Sequence, residues 1–435
     1  MILARRHLRP WRCILPPAIA RNAMGTLLSF TALFASIYLV QLGSGSLGPL
    51  DALSGAAIGF STEEIGLLGS AHFVGYIIGC YVTPRLIGDI GHSRAFAAAA
   101  AIGAIGALLH PILEGPLIWA LLRVLTGLAI AAAYTVVESW LHAKTDNHNR
   151  GRVYGLFRVV DLIGALSAQG IIAILEPASY AAYNIVAMFC CLCLLPLALS
   201  QRVAPVTPRA PRLRPLKAAL LSPAAALGIV VAGITGAGFR MVGPVYGVEN
   251  ALTQTQIAVF LASAVLGGVA AQYPVGWIAD KTDRRLVLLG LSVLAAVSCL
   301  GIALLLEPGN VNGFYLGAFV FGLTAYPIYS VSAAYANDLA EPDFIVELNA
   351  ALIFIYSIGA IVSPVISAWL IALAGPEAMF TFMASVHAAL VVFTLFRMTR
   401  RRATGPRTPY RYIPRTSMLL GRMFKGQNGK RAAKD

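Results

Sequence analysis

The stretch GWIADKTDRRLVLLG, residues 276–290, places five charged side chains between two long apolar runs. The runs cover about 253–279 and 286–306. Both reach the roughly 20 residues that a helix needs to cross a hydrocarbon core about 30 Å thick. Their Leu, Ala and Gly content favours helices over the short, alternating strands of a membrane barrel. The stretch therefore predicts a short polar loop between two transmembrane helices.

Apolar runs of this length recur along the whole chain. Hydrophobic residues make up 58% of the 435 residues and charged residues 12%, whereas a soluble domain has about 25% charged residues. We therefore predict an all-α integral membrane protein with twelve transmembrane helices. The predicted spans are about 25–46, 63–83, 95–113, 116–141, 153–174, 179–200, 218–246, 253–279, 286–306, 311–336, 346–373 and 376–397.

The segments between these runs alternate in charge. The basic ones hold 30 of the 33 Lys and Arg residues, and the intervening ones hold none. The basic segments are 1–23, 84–94, 142–152, 201–217, 281–285 and 397–435. Since Lys- and Arg-rich loops stay in the cytoplasm, we predict a multi-pass protein of the inner or plasma membrane with both termini cytoplasmic. Segment 337–345 breaks the alternation, because it has Asp338, Glu341 and Asp343 but no Lys or Arg.

The net charge of +14 follows from the same asymmetry. It indicates contact with anionic lipid headgroups rather than with nucleic acid. We predict that residues 1–23 form a basic cytoplasmic extension and that 398–435 form a basic cytoplasmic tail on anionic lipid, with docking of a protein partner as the alternative for the tail. A monomer is expected.

No chemical motif for a cofactor or an enzyme is visible in the sequence. The six cysteines have no disulfide or metal spacing, and there is no nucleotide-binding Walker loop. No Ser–His–Asp spacing occurs either. We therefore expect no metal or cofactor and no enzymatic activity, and we expect a proton gradient as the energy source.

The chain divides into two similar halves. The Pro- and Arg-rich segment QRVAPVTPRAPRLRPLK, 201–217, is predicted to be a cytoplasmic linker between six-helix bundles at 24–200 and 218–397. PRLIGDIGHSR at 84–94 corresponds to GWIADKTDRR, and GLAIAAAY at 127–134 corresponds to GLTAYPIY at 322–329. Parallel six-helix repeats are one plan of secondary transporters, which bind substrate between the halves near the midplane.

GWIADKTDRR resembles the loop signature of the major facilitator superfamily, G-x-L-[AS]-D-[RK]-x-G-R-[RK]. Asp283 stands where that signature has Gly, and the first-half copy is weaker. RVLTGLAIA, with Arg123, resembles the helix-four pattern of the same superfamily. The stretches 136–152, 323–339 and 349–364 resemble its YcaD-like branch of permeases. The matching loop residues are Gly276, Asp280, Lys281, Arg284 and Arg285, with Gly91 and Arg94 in the first-half copy.

This resemblance implies the major facilitator fold and a secondary active transporter that moves a small organic solute by alternating access. The alternatives are a membrane sensor or assembly factor without solute flux, and a membrane-embedded transferase. The resemblance also implies a gate at the cytoplasmic face. Asp280 would act with Arg284 and Arg285, and Glu138 with Arg150 and Arg152. The alternative role for these charges is to anchor helix ends at the lipid headgroups.

Three arginines lie inside apolar runs, where a charge costs several kcal/mol unless a partner or water compensates it. Arg158 and Asp161 are three residues apart on one helix and can neutralise each other. Arg123 and Arg240 have no acidic neighbour within four residues, so we expect both to face the substrate cavity unpaired. Two free guanidiniums favour an anionic or zwitterionic solute, although relatives that export lipophilic cations keep an Arg in helix four.

Further polar residues inside the spans complete the candidate cavity and the proton pathway. Asp161 and Glu138 are the candidate proton carriers, and His72 is a weaker one. His387 is expected to be structural. The neutral polar candidates for the cavity are Gln41, Tyr134, Gln272, Tyr326 and Tyr329, each of which could instead join two helices by a hydrogen bond.

Overall fold

The computed structural model describes residues 17–145, 150–199, 213–341 and 344–400, with side chains for all of these except 17–29, 142–144, 150–152 and 346. Fifteen α-helices are described. The first half contains α1 Pro17–Ala57, α2 Thr62–Ile90, α3 His92–Leu109, α4 Pro116–Lys144, α5 Arg150–Ile172, α6 Tyr180–Leu192 and α7 Leu194–Ala198. The second half contains α8 Pro215–Leu221, α9 Pro223–Glu249, α10 Gln254–Lys281, α11 Arg284–Leu305, α12 Val311–Ala325, α13 Pro327–Asp338, α14 Ile345–Ala374 and α15 Glu377–Arg400.

Within the described residues, these helices form twelve spans that are long and apolar enough to cross a membrane. Two spans consist of a pair of helices, α6 with α7 and α12 with α13, because a proline interrupts each of them. Pro196 and Pro327 have no N–H to donate to the carbonyl four residues before them. The short helix α8 ends before Pro223, which begins α9. The predicted all-α, twelve-span fold is confirmed.

The first span was predicted to end near residue 46, and this boundary is wrong. Helix α1 continues to Ala57, so that LGSGSLGPLDALSGAA is helical rather than a loop. The side chains of Ser46, Leu50 and Ser54 are buried, which shows that this part of α1 packs inside the protein. Asp51 is therefore a buried helical residue and not part of an exposed loop. At the other end, α1 begins at Pro17, inside the segment predicted as an extension.

The two halves pack through equivalent pairs of helices. In the first half α2 packs on α4, α3 on α6 and α1 on α5, and in the second half α10 packs on α12, α11 on α15 and α9 on α14. The repeat extends to the helix starts, because Ser61 and Thr253 form capping boxes at α2 and α10. The internal repeat inferred from the sequence is thus present in the packing.

Glycines allow the closest of these approaches. A methyl group at Gly75 of α2 would overlap the Val124 carbonyl of α4, and one at Gly267 of α10 would overlap the Phe319 carbonyl of α12. Between helices in lipid, such small residues allow backbone contact where no hydrophobic force acts.

The helix ends define two faces of the molecule. We call the face at which α2, α4 and α10 end the basic face, since its loops carry the Lys and Arg of the charge alternation. The opposite one, where α1 and α5 end, is called the acidic face. Of the predicted linker, 201–212 lies outside the described residues, and Arg214 pairs with Glu347 of α14 at 3.4 Å.

Candidate functional site

The two halves contact each other near the acidic face. The side-chain amide of Gln254, at the start of α10, donates to the carbonyls of Ile172 and Leu175 at the end of α5. Gly66 and Gly69 in the first turns of α2 lie against Pro364 and Ala368 of α14. These contacts join the two halves on the side of the acidic face.

A buried charge cluster lies near these contacts. The Asp51 carboxylate of α1 lies 3.3 Å from Nη1 of Arg123 in α4 and 3.4 Å from Nε2 of His110, just after α3. Its other oxygen accepts a hydrogen bond of 2.9 Å from the Tyr183 hydroxyl of α6. All four residues are at most 2% exposed. The cluster therefore joins four segments of the first half through a carboxylate withdrawn from water.

The arrangement of His110 suits it to accept one proton. Its Nδ1 lies 2.6 Å from the Gly106 carbonyl, which can only accept, so Nδ1 carries the hydrogen. In the neutral ring Nε2 then presents a lone pair to the Asp51 carboxylate. One added proton would turn that repulsion into a charge-assisted hydrogen bond. Burial lowers the pKa of the His110 imidazole below its usual value, and the Asp51 carboxylate opposes this shift.

The expectation that Arg123 is unpaired is wrong, whereas its place in the substrate cavity stays a prediction. Its partner Asp51 lies on another helix, in a segment that the sequence placed in a loop, and a search of helix four alone could not find it. The second terminal nitrogen of Arg123, Nη2, contacts Sδ of Met241 in α9 at 3.6 Å. Arg123 is thus a neutralised residue at the junction between the halves.

Arg240 behaves differently. Its side chain is exposed, whereas every other residue in the stretch 235–247 of α9 is buried. Its guanidinium lies 5.8 Å above the ring of Phe73 in α2, so it reaches across to the other half. Arg240 forms no ion pair or hydrogen bond with any residue that the structure describes. Since α9 packs on α1, α2, α13, α14 and α15, an exposed side chain here faces the gap between the halves.

The predicted pair on α5 is confirmed. Nη1 of Arg158 lies 2.7 Å from Oδ2 of Asp161, and the Tyr134 hydroxyl donates to Oδ1 at 2.6 Å. Arg158 and Tyr134 both contact the Asp161 carboxylate, and the role of Asp161 as a proton carrier stays a prediction.

The neutral candidates do not all meet in one place. Gln41 of α1 lies against Gly164 of α5 and accepts from Ser44, which places it at a contact within the first half. In the second half, Tyr326 lies against Gly268 of α10. Tyr329 packs edge-on against Tyr356 of α14, with ring centroids 5.6 Å apart.

The loop motif forms a charge cluster at the basic face. Arg284 is buried, with Nη1 3.2 Å from Asp338 of α13 and Nη2 3.4 Å from Asp280, whose side chain is 40% exposed. Arg285 pairs at 2.6 Å with Asp283, which also caps α11. The sequence did not single out Asp338 as a partner. The break in charge alternation at 337–345 was the signal that could have identified it.

The other motif residues have separate roles. Gly276 is buried in α10, and the Lys281 ammonium lies 3.8 Å above the Trp277 ring. Gly91 links α2 to α3 with φ of 83°, and Arg94 is exposed in the first turn of α3. Glu138 is buried in α4, whereas the side chains of Arg150 and Arg152 lie outside the described residues, so the predicted pairing with Glu138 stays a prediction.

Comparison with known proteins matches this architecture. The Major Facilitator Superfamily profile matches residues 18–250 and 225–428. The uncharacterized MFS-type transporter YcaD of Salmonella arizonae is 27% identical over 357 residues, which cover 81% of this chain and 92% of that protein. The Salmonella typhimurium YcaD is also 27% identical, over 358 residues with the same coverage.

Solved transporters share the fold. The nucleoside transporter NupG superposes with a TM-score of 0.70 at 13% identity, covering 85% of this chain and 98% of that one. A bacterial homologue of the human lysosomal transporter Spinster superposes with a TM-score of 0.67 at 15% identity, covering 85% and 95%.

Proposed function

The chain belongs to the Major Facilitator Superfamily, in its YcaD-like branch, and we propose that it moves a small organic solute across the inner or plasma membrane by alternating access. The observation that carries the proposal is the accessible Arg240 at the closed end of the gap between two equivalently packed halves. A solute bound there would touch both halves, and binding that differs between two arrangements shifts the equilibrium between them.

In this proposal the described arrangement is the state that opens to the cytoplasm. The contacts between α5 and α10, and between the first turns of α2 and α14, close the acidic face. The positive-inside rule makes the basic face cytoplasmic, with both termini on that side. The Arg284 cluster holds α10, α11 and α13 together at this face, so these helices would move as one unit when the halves rock.

The transport cycle would be driven by the proton gradient, with no other cofactor. The Asp51–His110 pair supports this coupling, since it is arranged to accept one proton and lies beside Arg123, which contacts Met241 of the opposite half. Protonation would weaken the hold of Asp51 on Arg123 and so alter the junction. Asp161 and Glu138 remain further candidate carriers.

The surroundings of the protein belong to the same proposal. We propose a monomer whose basic tail lies on anionic lipid, since twelve spans and two halves provide a complete solute path within one chain. No catalytic step is part of the proposed mechanism.

Transport by purified protein tests the function. Protein reconstituted in liposomes would be given an inward proton gradient and a mixture of metabolites, and the contents would be identified by mass spectrometry. We expect at least one solute to be accumulated in the liposomes or removed from them. A protonophore should abolish this movement. Arg240→Gln should abolish it, whereas Arg85→Gln, an exposed residue at the basic face, should leave it unchanged.

The alternative function makes the opposite prediction. A sensor or assembly factor would bind a ligand or a partner through the basic tail without net flux. Two results together would favour that function over transport. One is the absence of protonophore-sensitive flux for a broad panel of solutes, and the other is the loss of a cellular phenotype when the tail is truncated.

A further inference from the structure

Two of the three arginines deep inside the described spans have a carboxylate partner, and the third does not. Arg123 is neutralised by Asp51 and Arg158 by Asp161. Arg284 and Arg285 have carboxylates at the basic face. Arg240 is the intramembrane arginine for which no described residue provides a carboxylate. The two free guanidiniums expected from the sequence are thereby reduced to one.

An uncompensated guanidinium at this depth is costly. Arg240 lies nine residues from the end of α9, or about 14 Å along the helix axis, which places it well inside the span. A charged side chain within the membrane requires several kcal/mol of compensation from water, a partner or a ligand. Arg240 is exposed on an otherwise buried part of α9, so a ligand can reach its guanidinium.

The immediate surroundings of Arg240 are apolar and belong to both halves. Phe73 of α2 lies under the guanidinium, and Phe73 packs on His72 and Tyr76. The next residue on α9, Met241, packs on Gly48 and Gly69 of the first half. A ligand held here would have its charge on α9 and its apolar body against α2.

We propose that Arg240 binds the carboxylate of a monoanionic organic solute whose apolar body lies against the aromatic side chains of α2. This rests on the proposed function and specifies the substrate class of the same site. A guanidinium holds a carboxylate through two parallel hydrogen bonds. Dianions are disfavoured because the second charge would remain unpaired in a site of low dielectric constant, and cations are repelled by Arg240.

The test uses full-length protein in lipid nanodiscs and ring probes that differ in charge. Binding of benzoate, benzamide, benzylamine and phenyl phosphate is measured by thermal-shift titration, with acetate as the carboxylate that lacks an apolar body. We expect benzoate to bind about tenfold or more tightly than benzamide, because a hydrogen-bonded charge pair is gained. Phenyl phosphate, benzylamine and acetate should bind more weakly than benzoate.

Variants assign the selectivity to the residue. Arg240→Gln should remove the preference for benzoate over benzamide, and Arg240→Lys, which keeps the charge but loses the planar fork, should retain part of it. Arg85→Gln, an exposed arginine elsewhere on α2, should behave as wild type. The unliganded melting temperature of each variant is recorded so that loss of folding is separated from loss of binding.

Two results would overturn the proposal. One is the absence of any preference for monocarboxylates over the neutral probe in wild type, and the other is an unchanged preference in Arg240→Gln. The liposome assay distinguishes the proposed function from the proposed site. Anion-selective binding without flux would contradict the transport function and support the Arg240 site. Proton-driven flux of neutral or cationic solutes without anion selectivity would support the transport function and contradict the Arg240 site.

Discussion

Met241 of α9 and Arg123 of α4 meet at the junction between the halves, with Sδ of the methionine 3.6 Å from Nη2 of the arginine. The same guanidinium is neutralised by Asp51 through its other nitrogen, Nη1. The contact between the halves is therefore linked to a buried ion pair inside the first half. Substitutions in that pair should affect both the stability of the half and the movement at the junction.

Removal of Asp51 should destabilise the protein strongly. Asp51→Asn leaves the Arg123 charge buried without a partner, and breaking a buried pair from one side costs about 3–5 kcal/mol. The double variant Asp51→Asn/Arg123→Met should recover much of this loss. Glu63→Gln, an exposed acid at the start of α2, serves as the control. Unfolding in denaturant gives the double-mutant cycle, and additive losses for the two substitutions would contradict the pairing.

The stability of the protein should fall at acidic pH through His110. Burial lowers the pKa of His110 relative to the unfolded chain, so the unfolded state binds the proton first. The stabilisation is present above the unfolded pKa of about 6.5 and is lost as the pH falls below it. The groups facing the ring are Asp51, Arg123 and Tyr183.

Melting temperatures of wild type and His110→Gln between pH 5 and pH 8 measure this contribution. The variant should lose less stability over the acidic part of the range, since it has no imidazole to protonate. Parallel curves for the two proteins would show that another group dominates the acid sensitivity.

The two carboxylates that face Arg284 should differ in their contribution. Asp338 is 3% exposed and Asp280 is 40% exposed at the side chain. Asp338→Asn should therefore cost about 3 kcal/mol or more, and Asp280→Asn about 1 kcal/mol or less. Denaturant unfolding ranks the two variants, and equal losses would argue against Asp338 as the main partner.

Asp280→Asn should still impair function. We expect it to shift the protein toward inward-open conformations and to reduce turnover more than solute binding, because in the proposed cycle Asp280 lies at the face that must close. Initial transport rates and binding affinities are compared in the same preparation. Unchanged turnover with unchanged accessibility of both faces would exclude a gating role.

The α2–α4 crossing should not tolerate a side chain at Gly75. Gly75→Ala places a methyl group on the Val124 carbonyl, and overpacking of this kind costs about 1–3 kcal/mol or more, because backbone must move. Gly88→Ala on the same helix has open space around it and should be neutral or stabilising by up to about 1 kcal/mol. A melting temperature for Gly75→Ala equal to that of Gly88→Ala would refute the tight crossing.

The topology can be tested by labelling of single cysteines. In a background without the six native cysteines, Glu249→Cys and Glu307→Cys lie at exposed positions of the acidic face. A membrane-impermeant maleimide should label both in intact cells and should label Lys217→Cys, at the basic face, only after permeabilisation. Labelling of position 217 from outside would reverse the orientation.

The sequence alone was sufficient for the features that depend on one segment at a time. A span is decided by the transfer free energy of about 20 consecutive residues, so the twelve helices could be predicted without knowing how they pack. The charge alternation and the internal repeat are equally local. The Arg158–Asp161 pair was predictable because helix geometry alone brings positions three apart together.

Tertiary structure decided which buried charges neutralise each other. Asp51 meets Arg123 because α1 continues to Ala57 and crosses α4, and Arg284 meets Asp338 because α11 packs beside α13. Neither the end of a helix nor its rotation about its axis follows from apolar composition, since both depend on the crossing with other helices. The reduction from two free guanidiniums to Arg240 alone, on which the proposed substrate class depends, could be seen only after the helices were packed together.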